Sequence, residues 1–404
     1  PCPRHVLRPA ADAGTHEGFM MMNYGFVLRP GIALAALLSL SVPAMAAVGT
    51  DAMPVQQSEA ARFRVITVAE GLERPWSLAF LPDGRMLVTE KAGRLRVVAA
   101  DGRLSPPLAN LPRVLARGQG GLLDVATSPR FGEDRTIFFS YAEPTARGGR
   151  TAVARARLGD GSLEDVKVVF RQAQDPPGGN HWGSRLVFAR DGRLFVTLGD
   201  RFDQRDRAQD LDSHFGKIVR IEPDGSVPKD NPFAQRPGAL PEIWSIGHRN
   251  VQGAALHPQT GRLWTSEHGA RGGDEVNIPL PGRNYGWPVI THGVDYSGAK
   301  IGVGSEKEGM EQPVLHWTPS IAPSGLAFYQ GDRFPGWRGN LLAGALKDRM
   351  LVRITLDGER VVAQERLLTQ LGERIRDVRV GPDGLVYLLT DSAEGRLLRL
   401  EPAS

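Results

Sequence analysis

Six times after about Phe63 the chain returns to one pattern: a short apolar strand, a tight turn, then a second apolar strand. Residues 76–90 read Trp-Ser-Leu-Ala-Phe-Leu-Pro-Asp-Gly-Arg-Met-Leu-Val-Thr-Glu, and residues 184–198 read Ser-Arg-Leu-Val-Phe-Ala-Arg-Asp-Gly-Arg-Leu-Phe-Val-Thr-Leu. Residues 250–265 and 377–388 are further copies, with looser ones at 122–139 and 325–344. Asp-Gly suits such hairpins because glycine adopts positive φ without a steric penalty. No sustained helical period competes with this alternation. Copies at intervals of roughly 50 residues predict an all-β fold, a six-bladed β-propeller of four-stranded antiparallel blades. A β-sandwich array is the alternative, but it would not demand internal similarity. Closing a ring removes long exposed sheet edges and gathers loops from every blade at one channel mouth.

The 404 residues are too many for one small core but fit a single ring, placed at residues 63–404. Hydrophobic content of 41% and charged content of 23% are those of a globular chain. The net charge of +4 comes from scattered arginines rather than a basic block, which argues against a nucleic-acid partner. Residues 1–21 read as an upstream segment foreign to the fold. From Met22 a different pattern begins: Arg29, an apolar run over 32–40, and Ala44-Met-Ala46. That is a secretory signal peptide over residues 22–46, with cleavage expected after Ala46 and a periplasmic product. The run is too short for a membrane span. Residues 47–62 read as a linker. The single cysteine, Cys2, lies upstream of the cleavage point, so the mature chain has no disulfide and no thiol chemistry.

The densest chemistry lies in residues 267–277, Glu-His-Gly-Ala-Arg-Gly-Gly-Asp-Glu-Val-Asn, followed by Asn-Tyr-Gly-Trp-Pro at 284–288. Glycines let backbone carbonyls converge on a hard cation, and Glu275 could add a carboxylate, although Gly-Gly-Asp is also ordinary turn chemistry. His181 precedes the third hairpin in Gly-Gly-Asn-His-Trp-Gly, and Asp200 follows it. An imidazole oriented by a carboxylate can serve as a general base; a lone loop histidine is more often structural. Arg249 and Asn250 open the fourth blade, where an arginine can grip a carboxylate or tie blades together. Lys347, Arg374 and Arg376 follow or precede strands; on a ring of equivalent loops they would form a cationic bowl, and singly they would be solvated. His214, His248, His257 and His268 lack zinc-site spacing and read as structural.

Together these motifs resemble the soluble pyrroloquinoline quinone (PQQ)-dependent sugar dehydrogenases, in particular the aldose sugar dehydrogenase branch. The likeness runs from about Leu72 to the C-terminus. It rests on Gln119-Gly-Gly-Leu-Leu, Asn180-His181, Gly-His-Arg249-Asn250, Ser-Glu-His-Gly269 through Asp-Glu275-Val-Asn, Asn-Tyr285-Gly-Trp-Pro, Ile-Ala-Pro-Ser-Gly325 and Arg374-Ile-Arg376-Asp. The resemblance implies oxidation of an aldose at C1 to the lactone. His181 matches the base that takes the C1 hydroxyl proton while hydride passes to C5 of the quinone, and Asp200 its orienting carboxylate. Arg249 matches the residue that polarises the quinone oxygen. Gln119, Asn250, Lys347, Arg374 and Arg376 match cofactor-holding positions. Gly269 and Ala270 match backbone ligands of a calcium ion on the cofactor, Ala270 standing where relatives carry proline. Glu275 and Tyr285 match a second, structural calcium site. The implied partners are a sugar and an external electron acceptor. Missing loop insertions leave a monomer or weak homodimer. A non-enzymatic exported binding module and a calcium-dependent lactonase are the rival readings; the second needs carboxylates as the main metal ligands.

Overall fold

In a computed structural model, which describes residues 54–403, the chain forms six antiparallel sheets that follow one another around a ring. The expected signal peptide and upstream segment lie outside the described residues. Each repeated unit supplies the first two strands of one blade. The pairs are Pro75–Phe80 with Met86–Glu90, Leu122–Thr127 with Thr136–Pro144, and Leu186–Phe188 with Leu194–Thr197. Val251–Leu256 with Leu263–Glu267, Pro323–Phe328 with Leu341–Ala345, and Ile375–Val380 with Val386–Thr390 complete the set. These strands are almost wholly buried, since both faces pack against neighbouring blades.

The hairpins close as their sequence predicts. Gly84, Gly192 and Gly384 all take positive φ, at 84°, 84° and 76°. The aspartate before each accepts the backbone N–H two residues on, a local bond that fixes the turn. The outer strands are less regular. Four blades carry four strands; the first has three, extended by a bridge between Val98 and Leu104. The last blade has five. Its fourth strand is the N-terminal Arg62–Leu72, which pairs antiparallel with the C-terminal Gly395–Pro402 and so closes the ring. Within the expected linker, Gln56–Gln57 add a short edge strand beside it.

Neighbouring blades are joined at the inner strands, where five of the six first pairs carry a register shift at the channel end. Ser77 Oγ and Asp124 bond the first blade to the second, and Asp124 Oδ2 accepts Leu186 N–H of the third. Arg185 Nε donates to the Gln252 carbonyl, Ser266 Oγ to that of Ser324, and Ser324 Oγ to that of Ile375. Asp377 Oδ2 accepts Leu78 N–H and completes the circuit. Gly325 is required here: a Cβ would lie 2.4 Å from Asp377 Oδ1. Arg185 and Arg379 neutralise Asp124 and Asp377 in this buried floor.

Candidate active site

His181 sits on the loop that leads into the third blade, buried, with φ of 49°. Its Nδ1 lies 2.6 Å from Asp200 Oδ1, at the end of the same hairpin. The other carboxylate oxygen accepts Trp287 Nε1–H at 2.8 Å, and Phe202 N–H donates to Oδ1 at 2.8 Å. Burial alone would raise the Asp200 pKa, but the His181 contact, the Arg249 charge and the Phe202 N–H outweigh it, and the carboxylate stays ionised below its usual range. Burial also lowers the His181 pKa, against the opposing pull of Asp200, so the ring is neutral at pH 7. With Nδ1–H donated to Asp200, Nε2 keeps a free lone pair.

Arg249 joins the same cavity. That cavity, of about 370 Å³, is bordered by His181, Asp200, Phe202, Arg249, Ala270, Trp287 and Tyr296. Arg249 is fixed by its N–H to Glu267 Oε2 at 2.7 Å and by Nη1 to the His268 carbonyl at 3.2 Å. Its carbonyl accepts Asp200 N–H, which ties base and guanidinium to one backbone bridge. Arg249 Nε is buried with no hydrogen-bond partner.

A second cavity, of about 240 Å³, lies at the channel mouth against His268. Arg74, Lys91, Gln119, Gln252, Arg374 and Arg376 border it, with Asp391 as the one acid. Arg374 and Arg376 share that carboxylate, at 3.0 and 2.8 Å. Burial raises the Asp391 pKa, but the two guanidiniums dominate and bring it to about 2. Gln119 also touches the base loop, its Oε1 accepting His181 N–H at 2.8 Å. Asn250 is buried behind Gly183 and Gln252 of the second cavity's wall: Oδ1 accepts from Gly183 N–H and Gln252 Nε2, while Nδ2 has no partner. Lys347 differs from the expectation. Its ammonium is half exposed, bonded to the Ser320 carbonyl and Asp348, and does not border the cavities.

Between the two lies a third, small cavity edged by Arg249, Glu267, His268, Gly269, Glu275 and Tyr285. Gly269 borders this cavity and Ala270 that of His181, and Arg249 borders both. Ala270 pairs with Gly272 in an isolated antiparallel bridge. Glu275 and Tyr285, expected at a separate site, border the same cavity as Gly269. Glu275 and Glu267 are direct cross-strand partners, both bonded by the Asn277 amide. Burial, then the Glu267 charge, pushes the Glu275 carboxyl up to about 8. The Tyr285 hydroxyl is engaged with the Ile278 carbonyl and Leu280 N–H, which leaves only its backbone for a cation. No group of three or more His, Cys, Asp or Glu side chains among the described residues is arranged to hold a metal.

Three contributors were not legible in advance. Arg201 is buried against the Trp182 ring at 3.4 Å and donates to the carbonyls of Asn180, Gly178 and Gly149, so it clamps the loop that carries His181. Trp287 fixes Asp200, and Asp391 fixes Arg374 and Arg376. Of the histidines read as structural, His214 pairs with the half-buried Glu242, His248 with the buried Glu267, and His257 closes a turn. His268, however, faces both the second and third cavities, its Nε2 bonded to the Pro323 carbonyl at 2.7 Å.

The glucose/sorbosone dehydrogenase family model matches residues 72–399. The chain is 49% identical over 348 residues to the aldose sugar dehydrogenase YliI of Escherichia coli, covering 85% of this chain and 94% of that one. The crystal structure of the soluble aldose sugar dehydrogenase from Escherichia coli in the apo-form superposes with a TM-score of 0.83 at 48% identity, over 84% of this chain and 100% of that one. The PQQ-bound form of an aldose sugar dehydrogenase from Streptomyces coelicolor gives a TM-score of 0.70 at 33% identity, over 84% and 98% of the two chains.

Proposed function

This chain belongs to the glucose/sorbosone dehydrogenase family, and we propose that it is a PQQ-dependent aldose sugar dehydrogenase that oxidises C1 of the sugar to the lactone. The observation that carries this reading is the His181–Asp200 pair in one cavity with Arg249, next to a second cavity ringed by cationic side chains.

The residues present fit a flat polyanion. Four basic side chains and one acid border the second cavity, and Arg249 Nε, Asn250 Nδ2 and Arg376 Nε are buried donors without partners. A ligand rich in carboxylate and carbonyl oxygens would satisfy them. Gln119, Asn250, Arg374 and Arg376 would hold it, with Arg249 at its edge. When bound, PQQ supplies a hydride acceptor at its C5 carbon. The backbone carbonyls of Gly269 and Ala270 suit a hard cation, and a calcium ion there would supply Lewis acidity. Glu275 and the Tyr285 backbone would complete the ligand shell of this ion or a second one.

His181 performs the proton step. Neutral and held in one tautomer by Asp200, it presents Nε2 to the C1 hydroxyl and takes its proton. The resulting imidazolium is stabilised by the ionised carboxylate 2.6 Å away. Arg249 stands beside the base as a fixed positive charge and stabilises negative charge that develops on a neighbouring oxygen. Trp287 closes the far side of Asp200 and keeps water from competing for it.

The electrons pass on to an external acceptor. Residues 22–46 support export to the periplasm. No helix among the described residues is long and apolar enough to cross a membrane. The decisive experiment reconstitutes purified apoprotein with PQQ and calcium and follows reduction of an artificial acceptor by aldoses. Cofactor binding without reduction by any aldose would overturn the enzymatic reading in favour of a binding module.

A further inference from the structure

Lys217 is a basic side chain wholly removed from solvent, away from all three cavities. Its Nζ donates to three backbone carbonyls: Phe215 at 2.6 Å, Ala208 at 2.9 Å and Arg207 at 3.1 Å. Three acceptors use every N–H of an ammonium. Burial lowers its pKa to about 7, against the charges of Asp210 and Asp212, and even the neutral amine keeps two donors for these carbonyls. Burying such a group costs more than burying an apolar chain of the same length, so filling space does not account for it.

The three carbonyls show what is held. Arg207 and Ala208 belong to the 3-10 turn Arg205–Gln209. The Gln209 amide pairs reciprocally with that of Asn284, at 2.7 and 3.1 Å, and its Nε2 also donates to the Trp287 carbonyl at 2.7 Å. A backbone path runs beside it: the Ala208 carbonyl accepts Gly247 N–H, and the Gly247 carbonyl accepts Trp287 N–H. Ala208 also belongs with Trp287 to one small apolar cluster. In the other direction, the Lys217 carbonyl accepts Leu198 N–H, two residues before Asp200. Gly216 lets these segments meet, since a Cβ there would lie 2.2 Å from the His248 carbonyl oxygen and 2.7 Å from Ala208 Cβ.

Lys217 therefore joins the strand end that leads to Asp200 with the turn that holds Trp287, and Trp287 Nε1 meets Asp200 Oδ2 at 2.8 Å. We propose that Lys217 is a positioning residue for the proton step: it fixes Trp287 against Asp200, and so fixes the carboxylate that orients His181. This rests on the aldose dehydrogenase reading above. The sign of its effect follows from the chain of bonds. An Asp200 carboxylate that loses the indole N–H is less well stabilised and holds a proton on His181 more strongly. Arg249 and Arg201, the other charges facing the imidazole, stay as they are.

The test is Lys217→Met in the reconstituted holoenzyme, with glucose as substrate. We expect kcat to fall about tenfold, with KM and PQQ affinity within about twofold of native. The acid limb of kcat/KM moves up by about half a pH unit. The same rise is read without cofactor, from the ring NMR titration of His181 in the apoprotein, its signal assigned by its absence in His181→Ala. Gln209→Leu changes no charge, cuts the same link at the half-buried turn, and shifts the limb in the same direction; it carries the test if Lys217→Met fails to fold. Trp287→Phe produces the full shift, and Lys217→Met added to it moves the limb no further. An unmoved limb and an unmoved His181 titration in a folded variant overturn the proposal, whatever the fall in rate, as does a loss of PQQ affinity equal to the loss of kcat. Failure of the native holoenzyme to oxidise any aldose is a separate result: it removes the dehydrogenase reading, while the apoprotein titration still decides whether Lys217 acts on His181.

Discussion

His181 Nδ1 and Asp200 Oδ1 lie 2.6 Å apart, and the second oxygen of that carboxylate is taken by the Trp287 indole at 2.8 Å. With both oxygens engaged, Asp200 can neither rotate nor accept a proton readily, and the imidazole is confined to one tautomer. His181→Ala is therefore expected to lower kcat by about 10²- to 10⁴-fold while PQQ affinity, followed by optical titration, changes little. A comparable loss of cofactor binding would make His181 a structural residue.

The pH profile follows from the same pair. Burial sets the His181 pKa below the 6.5 usual for histidine, so the base stays unprotonated, and kcat/KM flat, until pH falls below that value. Asp200 opposes this shift, so Asp200→Asn should move the acid limb to still lower pH while reducing the maximal rate. An acid limb that moves upward would contradict the assigned roles. For stability the sign is the same. The unfolded chain binds the proton first, so this site costs nothing above 6.5 and becomes destabilising as pH drops below it.

Arg201 holds the base loop through three carbonyls and a stacked indole, with no carboxylate in direct contact. Burial lowers its pKa to about 10, yet it remains charged. Lysine cannot span the fork, so Arg201→Lys should destabilise the fold by about 1–3 kcal/mol in urea titration. It should also lower kcat more than it weakens PQQ binding. A variant that melts earlier but turns over normally would confine Arg201 to stability.

Asp391, brought to about 2 between two guanidiniums, contributes stability that is fully present above the ordinary aspartate value of 3.8 and is lost as pH falls through about 2. The shift corresponds to about 2 kcal/mol at pH 7. Asp391→Asn should show that loss in the apoprotein, and the gap to the native chain should shrink by about half at pH 3. A gap independent of pH would mean the loss comes from packing.

Calcium is expected to raise the melting temperature of the apoprotein, reversibly on chelation. At the carboxylate proposed for the ligand shell, Glu275→Gln should weaken the effect about tenfold without abolishing folding. Identical calcium titrations for the two proteins would remove Glu275 from the ligand set.

The inner hairpins were legible because local chemistry and burial agree there. Asp-Gly turns, alternation and a following Val-Thr mark strands such as Met86–Glu90 and Leu194–Thr197. Outer strands were not. Arg360–Leu367 is largely solvent-facing, and its sequence Arg-Val-Val-Ala-Gln-Glu-Arg-Leu carries no comparable signal. In the site, His181, Asp200, Arg249 and Arg376 stood next to strand ends and could be placed on one mouth. Arg201 and Trp287 could not, since their hydrogen-bond partners lie 21 or more residues away, and Asp391 meets Arg374 and Arg376 across its own blade with no motif to mark it. Lys347 shows the converse: a basic residue at a strand end that finds a nearby acid instead of the cavity.

One sheet contains both extremities of the described fold, residues 62–72 lying against 395–402. A nascent polypeptide therefore lacks its finished toroid until the final segment is synthesised. The mouth draws on all six blades and cannot capture a ligand before then. Assembly from such distant pairings is slow. A chain cut short by its last dozen residues would retain every catalytic side chain and still have nowhere to bring them together.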